Sequence, residues 1–284
     1  MSLNVLKDLR KIYASLNTDE IRGSAGQDLK VGLMASSEDA YARMERFLAP
    51  PATDAAARAQ AMRAVHRVDG SPGGYDFVLS ELGIPVPENG FSFDPVRAPA
   101  LIDDILKAND KVELALARTF PLFRSPATHR IVNRMARENA FFSLVTALPN
   151  VVPNLLELPW AVGEFATDTA FITMNQIRMA LSIAAAHGRP VGYTEQKAEI
   201  AAIITGAFGW RAIARELIGK IPLGGGLIPK AAVAFAGTYV VGLGLEKLNR
   251  TGAGLTKQEQ RDAYADAFDK GKEVVRQFAP TMRE

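Results

Sequence analysis

The chain has 284 residues, 48% of them hydrophobic and 23% charged, which is globular composition and excludes a disordered chain. A formal net charge of +2 is too small for nucleic-acid binding by bulk electrostatics, and with no cysteine there are no disulfides, thiolate metal sites or cysteine nucleophiles. The charge is uneven: residues 1–110 carry 12 Lys/Arg against 16 Asp/Glu, and residues 111–284 carry 21 against 15, as expected of two regions with different partners.

In chain order, Leu3, Leu6, Leu9, Tyr13 and Leu16 recur at helical spacing, and Asn17 with Glu20 forms a capping pair for a second short helix. The N-terminus lacks the continuous apolar run of a secretory signal, which points to the cytoplasmic side. Lys30 to Ala35 is a strand candidate. Ser37 is placed to cap the next helix, with Glu38 and Asp39 in its first turn. Tyr41, Met44, Phe47 and Leu48 give that helix an apolar face before Pro50 and Pro51 stop it. An Ala-rich helix over 54–68 follows. Tyr75 to Leu79 is the second strand, and Gly90 to Phe93 is a candidate third. This alternation predicts a small α/β domain of parallel type over 1–97. Helices are expected near 98–108, 110–120, 126–148, 158–187, 195–219, 229–248 and 257–278, forming an all-α domain over 98–284. The fold class is therefore α+β.

The last helix begins with a capping box, Thr256 and Glu259. Tyr264, Ala267, Phe268, Gly271, Val275 and Phe278 share one face, so it should dock on the core, with Phe268 as a buried anchor. Asn139 to Leu156 is uncharged but broken by prolines. Ala231 to Leu245 is uncharged for 15 residues, roughly 22 Å of helix at 1.5 Å per residue, against a hydrocarbon core about 30 Å thick. In the hairpin from Glu195 to Leu248, Arg211, Arg215 and Glu216 oppose insertion. Both stretches read as buried core, with membrane association as the second reading.

No catalytic or metal site emerges. The turn after the first strand, Ala35 to Asp39, is where a phosphate loop would sit, but it has no glycine or lysine and carries two carboxylates. Nucleotide binding is not expected there, and no cofactor is implied. Gly224 to Lys230 is better explained as a tight helix–helix turn than as a phosphate loop, since no strand precedes it. The basic run Arg118, Arg124, Arg130, Arg134 and Arg137 has no acid between Glu113 and Glu138, and suits a phosphate, anionic lipid or an acidic partner; the plainer reading is a solvated face. A polar stripe of Glu164, Asp168, Asn175 and Arg178 has no assigned role. Gln176, near the apolar side, reads as a buried amide bonded to a neighbouring helix. His66, His129 and His187 are not at metal-ligand spacing, and His187 before Gly188 fits a helix C-terminus.

The segments ARENAFFSLVTALPNVVP (136–153), Asp168 with Asn175 and Gln176, the AAAHG ending at Gly188, and ELIGKIPLGGGLIPKAAVAFAGTYVVGLGLEKL (216–248) resemble the YcjF-type domain of unknown function. That domain accompanies Era-like and dynamin-like GTPase domains in bacteria, and members are associated with the inner membrane. The resemblance implies a degenerate GTPase-like unit before it, and a GTPase or self partner. It supplies no activity. The preferred expectation is a non-catalytic scaffold or adaptor, with a divergent nucleotide hydrolase and a peripheral protein binding anionic lipid at the inner face of the membrane as alternatives.

Overall fold

The computed structural model describes residue 16 and residues 18–51, 53–68, 70–71, 73–146, 168–205 and 227–278. The expected helix over 3–16, Glu164, the charges at Arg211, Arg215 and Glu216, and Gly224 to Gly226 lie outside the described residues, apart from Leu16.

The chain is α+β, with two compact units. The sheet-bearing unit is Asp19–Thr128 with Ala184–Pro190. It therefore includes the helices over 98–119 that the sequence assigns to the all-α region. Its elements are α1 (Thr18–Ala25, from Asp19 onward), β1 (Val31–Met34), α2 (Glu38–Leu48), α3 (Ala55–Ala64), β2 (Val65–Arg67), β3 (Phe77–Glu81), β4 (Gly90–Phe93), α4 (Ala98–Ala108) and α5 (Glu113–Thr119). The four strands are parallel in the order β2-β1-β3-β4. Burial explains their composition. Val31 and Leu33 of β1 and Phe77, Val78 and Leu79 of β3 are fully buried, as in the middle of a parallel sheet covered on both faces. Strand β2 is at an edge, and His66 and Arg67 are exposed. That polarity, over three residues, is why β2 reads in the sequence as the end of the preceding helix. Glycine is required at position 32: an added Cβ would lie 2.6 Å from a Val68 methyl and 3.1 Å from one of Val78.

Met44 and Leu48 of α2 and Ile105 and Leu106 of α4 pack in one core with Leu33, Phe77 and Leu79. Phe120 and Phe123, edge to face at 6.2 Å, extend it. Ala186 joins this core, which accounts for Ala184–Pro190 belonging to the unit.

The helical unit contains His129–Ile183 and Val191–Glu284. Its helices are α6 (Arg124–Val145, from His129 onward), α7 (Asp168–Ala186, to Ile183), α8 (Lys197–Thr205), α9 (Leu227–Thr251) and α10 (Lys257–Phe278). Helices α9 and α10 form an antiparallel pair. The Thr256 amide donates to Glu259 Oε2 at 2.7 Å, and the Glu259 amide to Thr256 Oγ1 at 3.3 Å, completing the capping box. Lys247 of α9 donates to the same carboxylate at 2.7 Å. The lysine and the capping bonds hold Glu259 at a pKa of about 2. Further along, Gly271 lets α10 approach α9: a Cβ there would lie 3.1 Å from the Ala232 carbonyl oxygen and from Phe235 Cβ. Ala136, Ala140 and Leu144 of α6 close this core with Phe235, Val274 and Val275.

Helix α10 is docked, but its anchor is Tyr264, fully buried, rather than Phe268, which is half-buried. Phe268 stacks on Tyr264 at 6.4 Å, with Lys272 Nζ 5.2 Å from its ring. Among the described residues, no group hydrogen-bonds the Tyr264 hydroxyl. Truncating Tyr264 to alanine should cost about 3–5 kcal/mol, and Phe268→Ala less, because part of its ring is already exposed to water. Tyr264→Phe should retain or slightly raise stability, since it removes a buried hydroxyl with no partner. Denaturant midpoints of the three variants check the ranking.

Candidate functional site

In a doubly wound parallel sheet, ligands bind beyond the carboxyl ends of the strands where the winding reverses, here between β1 and β3. The turn after β1 is Ala35, Ser36 and Ser37. Ser37 is the N-cap of α2, with its Oγ accepting the Ala40 amide at 3.2 Å, and Glu38 and Asp39 fill the first turn. Glu81, the last residue of β3, reaches across: the Ser36 amide and hydroxyl both donate to its Oε2, at 2.7 and 2.6 Å. Arg43 Nη2 lies 3.7 Å from Oε1. These bonds, the hydroxyl first, hold the Glu81 carboxyl below its ordinary range. Arg67 pairs with Glu38 at 2.8 Å and lies 4.4 Å over the Tyr41 ring. A carboxylate thus takes the backbone donor and the hydroxyl that a phosphate would need at this turn. Glu81 is the residue that sequence reasoning misses, because 45 residues separate it from Ser36.

The basic run does not act as one group. Arg130, Arg134 and Arg137 lie in the helical unit. Arg137 stands 5.5 Å over the Phe278 ring, while Arg134 and Arg178 face Glu138, whose pKa is raised mainly by burial, against their pull. Arg118 and Arg124 lie in the sheet-bearing unit. They line a cavity of about 480 Å³ with Arg63 and His187. Arg124 Nε donates to the Ala117 carbonyl at 3.3 Å, and partial burial lowers its pKa. His187 ends α7 in a Schellman turn: the Gly188 amide donates to the Ala185 carbonyl and the Arg189 amide to that of Ala184, both at 2.9 Å, with Gly188 at φ +74°.

In the polar stripe, Asp168 is the first residue of α7, and Arg178 is half-buried. Asn175 is fully buried: its Nδ2 donates to Asn139 Oδ1 on α6 at 2.9 Å, and Asn139 Nδ2 donates to Thr238 Oγ1 on α9 at 2.8 Å. Gln176, also fully buried, donates to the same hydroxyl at 3.5 Å, as expected of a helix-bonded amide. This is a structural tie among three helices, and its amides offer no acid–base group. His129 Nε2, 3.0 Å from the Glu246 carboxylate, is held above its usual pKa by that hydrogen bond. No group of three or more His, Asp or Glu side chains able to hold a metal occurs among the described residues.

No protein-family model, curated protein or solved structure matches this chain. The chemistry of its sites therefore rests on the residues themselves, and two measurements test it. Glu81 titrates low, so its stabilising contribution is fully present above the ordinary glutamate range and is lost as the pH falls through the lowered value. NMR titration should find the carboxyl below the usual range and returning toward it in Ser36→Ala. For the amide tie, Asn139→Ala should cost about 2–3 kcal/mol, since it leaves buried partners unpaired. With Thr238→Val, the double variant should cost less than the sum of the singles, by about 1 kcal/mol in a thermodynamic cycle.

Proposed function

We propose that this chain is a nucleotide-independent helical scaffold or adaptor, YcjF-like over residues 137–248, that engages a GTPase or a second copy of itself. The observation that carries this reading is the Ser36–Glu81 contact. At the point where a doubly wound sheet ordinarily receives its ligand, the free backbone donor and the adjacent hydroxyl are both committed to a carboxylate. With Glu38 and Asp39 beside it and neither glycine nor lysine in it, the turn lacks the donors a polyphosphate needs. The β2-β1-β3-β4 order is shared by doubly wound sheets at large, and lends no support specific to a GTPase ancestor. A cytoplasmic location goes with this proposal.

A state in which an apolar helix enters the membrane is the second reading, favoured by one observation. Ile228–Thr251 is long and apolar enough to cross a bilayer by length and composition. Against it, 67% of its most apolar stretch is buried within the protein, and Gly242 is packed so closely that a Cβ would lie 2.5 Å from a Val132 methyl. A helix committed to such contacts has to break them to meet lipid.

Calorimetry with Mg-GTP and Mg-ATP should find no saturable binding tighter than about 100 μM, which corresponds to roughly −5.5 kcal/mol. Binding below that value would refute the proposal and support a divergent hydrolase. Fractionated cells should yield the protein in the soluble material. Recovery only from membranes, resistant to alkaline carbonate, would favour the second reading.

A further inference from the structure

The strongest unassigned feature lies at the other end of the sheet, beside the residues that lead into β1 and β2. Two adjoining cavities in the sheet-bearing unit, of about 470 and 480 Å³, share a wall made by Gln60, Arg63 and Arg118. The first adds Lys30 and His66, and the second adds Arg124 and His187. Asp28 is the only carboxylate among the described residues that lines either cavity. Among the described residues, Arg63, Arg118 and Arg124 make no ion pair with a carboxylate.

Four cations and one carboxylate, among the described residues, line the two cavities. Arg124 is the partly buried one, and desolvating its guanidinium favours an anionic partner; it is tied to the Ala117 carbonyl. That tie also holds the group in place, and an arginine fork presents paired donors to planar or tetrahedral oxyanions. The Ala56 and Ala57 amides at the start of α3 also border the second cavity, but Asp54 Oδ1 already accepts from both, at 3.0 and 3.2 Å. Recognition therefore falls to the side chains. Each cavity has the volume of a small-molecule site. The cations are divided between two adjoining cavities with arginines on the shared wall, which suits a ligand with charge at more than one point.

We infer that Arg63, Arg118 and Arg124, with Lys30 on the far side of the shared wall, form a binding site for a multiply charged phosphate compound. The shared chemistry is the phosphate oxyanion, carried either by a soluble metabolite or by a phosphorylated lipid head group. The site does not depend on the adaptor reading, since Ser36 and Glu81 lie at the opposite ends of the strands.

The test is calorimetry of the full chain with inorganic pyrophosphate at constant ionic strength, with sodium sulfate as the control. Flotation with phosphatidylcholine vesicles, with and without phosphatidylinositol 4,5-bisphosphate, forms the second arm. Saturable pyrophosphate binding, at least tenfold tighter than sulfate and weakened at least tenfold by Arg63→Ala or Arg118→Ala, is the expected result. Both arginines are exposed, so these variants should fold, and circular dichroism verifies it. Arg137→Ala, on the helical unit, should bind as the parent does. Vesicle binding that needs the same arginines and is competed by pyrophosphate identifies the lipid as the source. Pyrophosphate binding that needs the arginines without arginine-dependent vesicle binding identifies a soluble source, while pyrophosphate binding no tighter than sulfate, or equal binding by the Arg63 and Arg118 variants, would each overturn the site.

Discussion

A polar side chain carried into an apolar interior has to find its partner there, and this requirement organises the helical unit. Helix α9 is uncharged over Ala231 to Leu245, so hydrophobic burial alone would let it slide or rotate against its neighbours at little cost. Thr238 removes that freedom. Its hydroxyl receives Asn139 from α6 and Gln176 from α7, and Asn139 in turn receives Asn175. Unpaired, each of these groups would carry a desolvation penalty of about 1–3 kcal/mol. One arrangement of three helices avoids most of it. The Asn175 and Gln176 oxygens have no donor among the described residues, so the network is not fully satisfied, and that leaves a polar weakness in the core.

The remaining features of this unit follow from that register. One turn beyond Thr238, Gly242 meets the methyls of Val132 and the sulfur of Met179, a contact that admits no side chain. About two to three turns earlier on α9, Phe235 and Ala232 receive Gly271 of α10. The capping box and Lys247 hold the start of α10 against the end of α9. The small residues of α9 thus serve close helix packing inside the protein, a use that glycine and alanine have in water as well as in lipid.

The sheet-bearing unit separates two kinds of charge. Acids gather at the carboxyl ends of β1 and β3, where Glu81 and Glu38 are matched by Ser36, Arg43 and Arg67. Cations gather beside Lys30 and Arg63, with one carboxylate among them. At the end of the sheet that usually binds ligands the acids are paired within the unit, while at the opposite end the described cations line cavities with one carboxylate among them.

Local signals in the sequence were enough for the elements whose physics is local. The Ser37 cap, the Thr256–Glu259 box, the turn at Gly188 and the docked helix over 257–278 are written within a few residues of one another, as are the buried strands at Val31 and Phe77. The α+β class followed from the same patterns. Strand β2 escaped because an edge strand of three residues, two of them exposed and polar, has no hydrophobic period to detect. Phe268 yielded its place to Tyr264 because two aromatics on one helical face look alike until a neighbouring helix decides which one is covered. The sites were harder still. Arg118 and Arg124 stood out in the sequence as part of a basic run, but Arg63 and His187, 55 and 69 residues from Arg118, join them only through the packing of α3 and the end of α7. Periodicity and capping act over one or two turns, so the sequence alone could specify helices, caps and a buried sheet. Which charges meet, and whether a partner neutralises them, depends on contacts between residues far apart in the chain, and only the tertiary structure decided that.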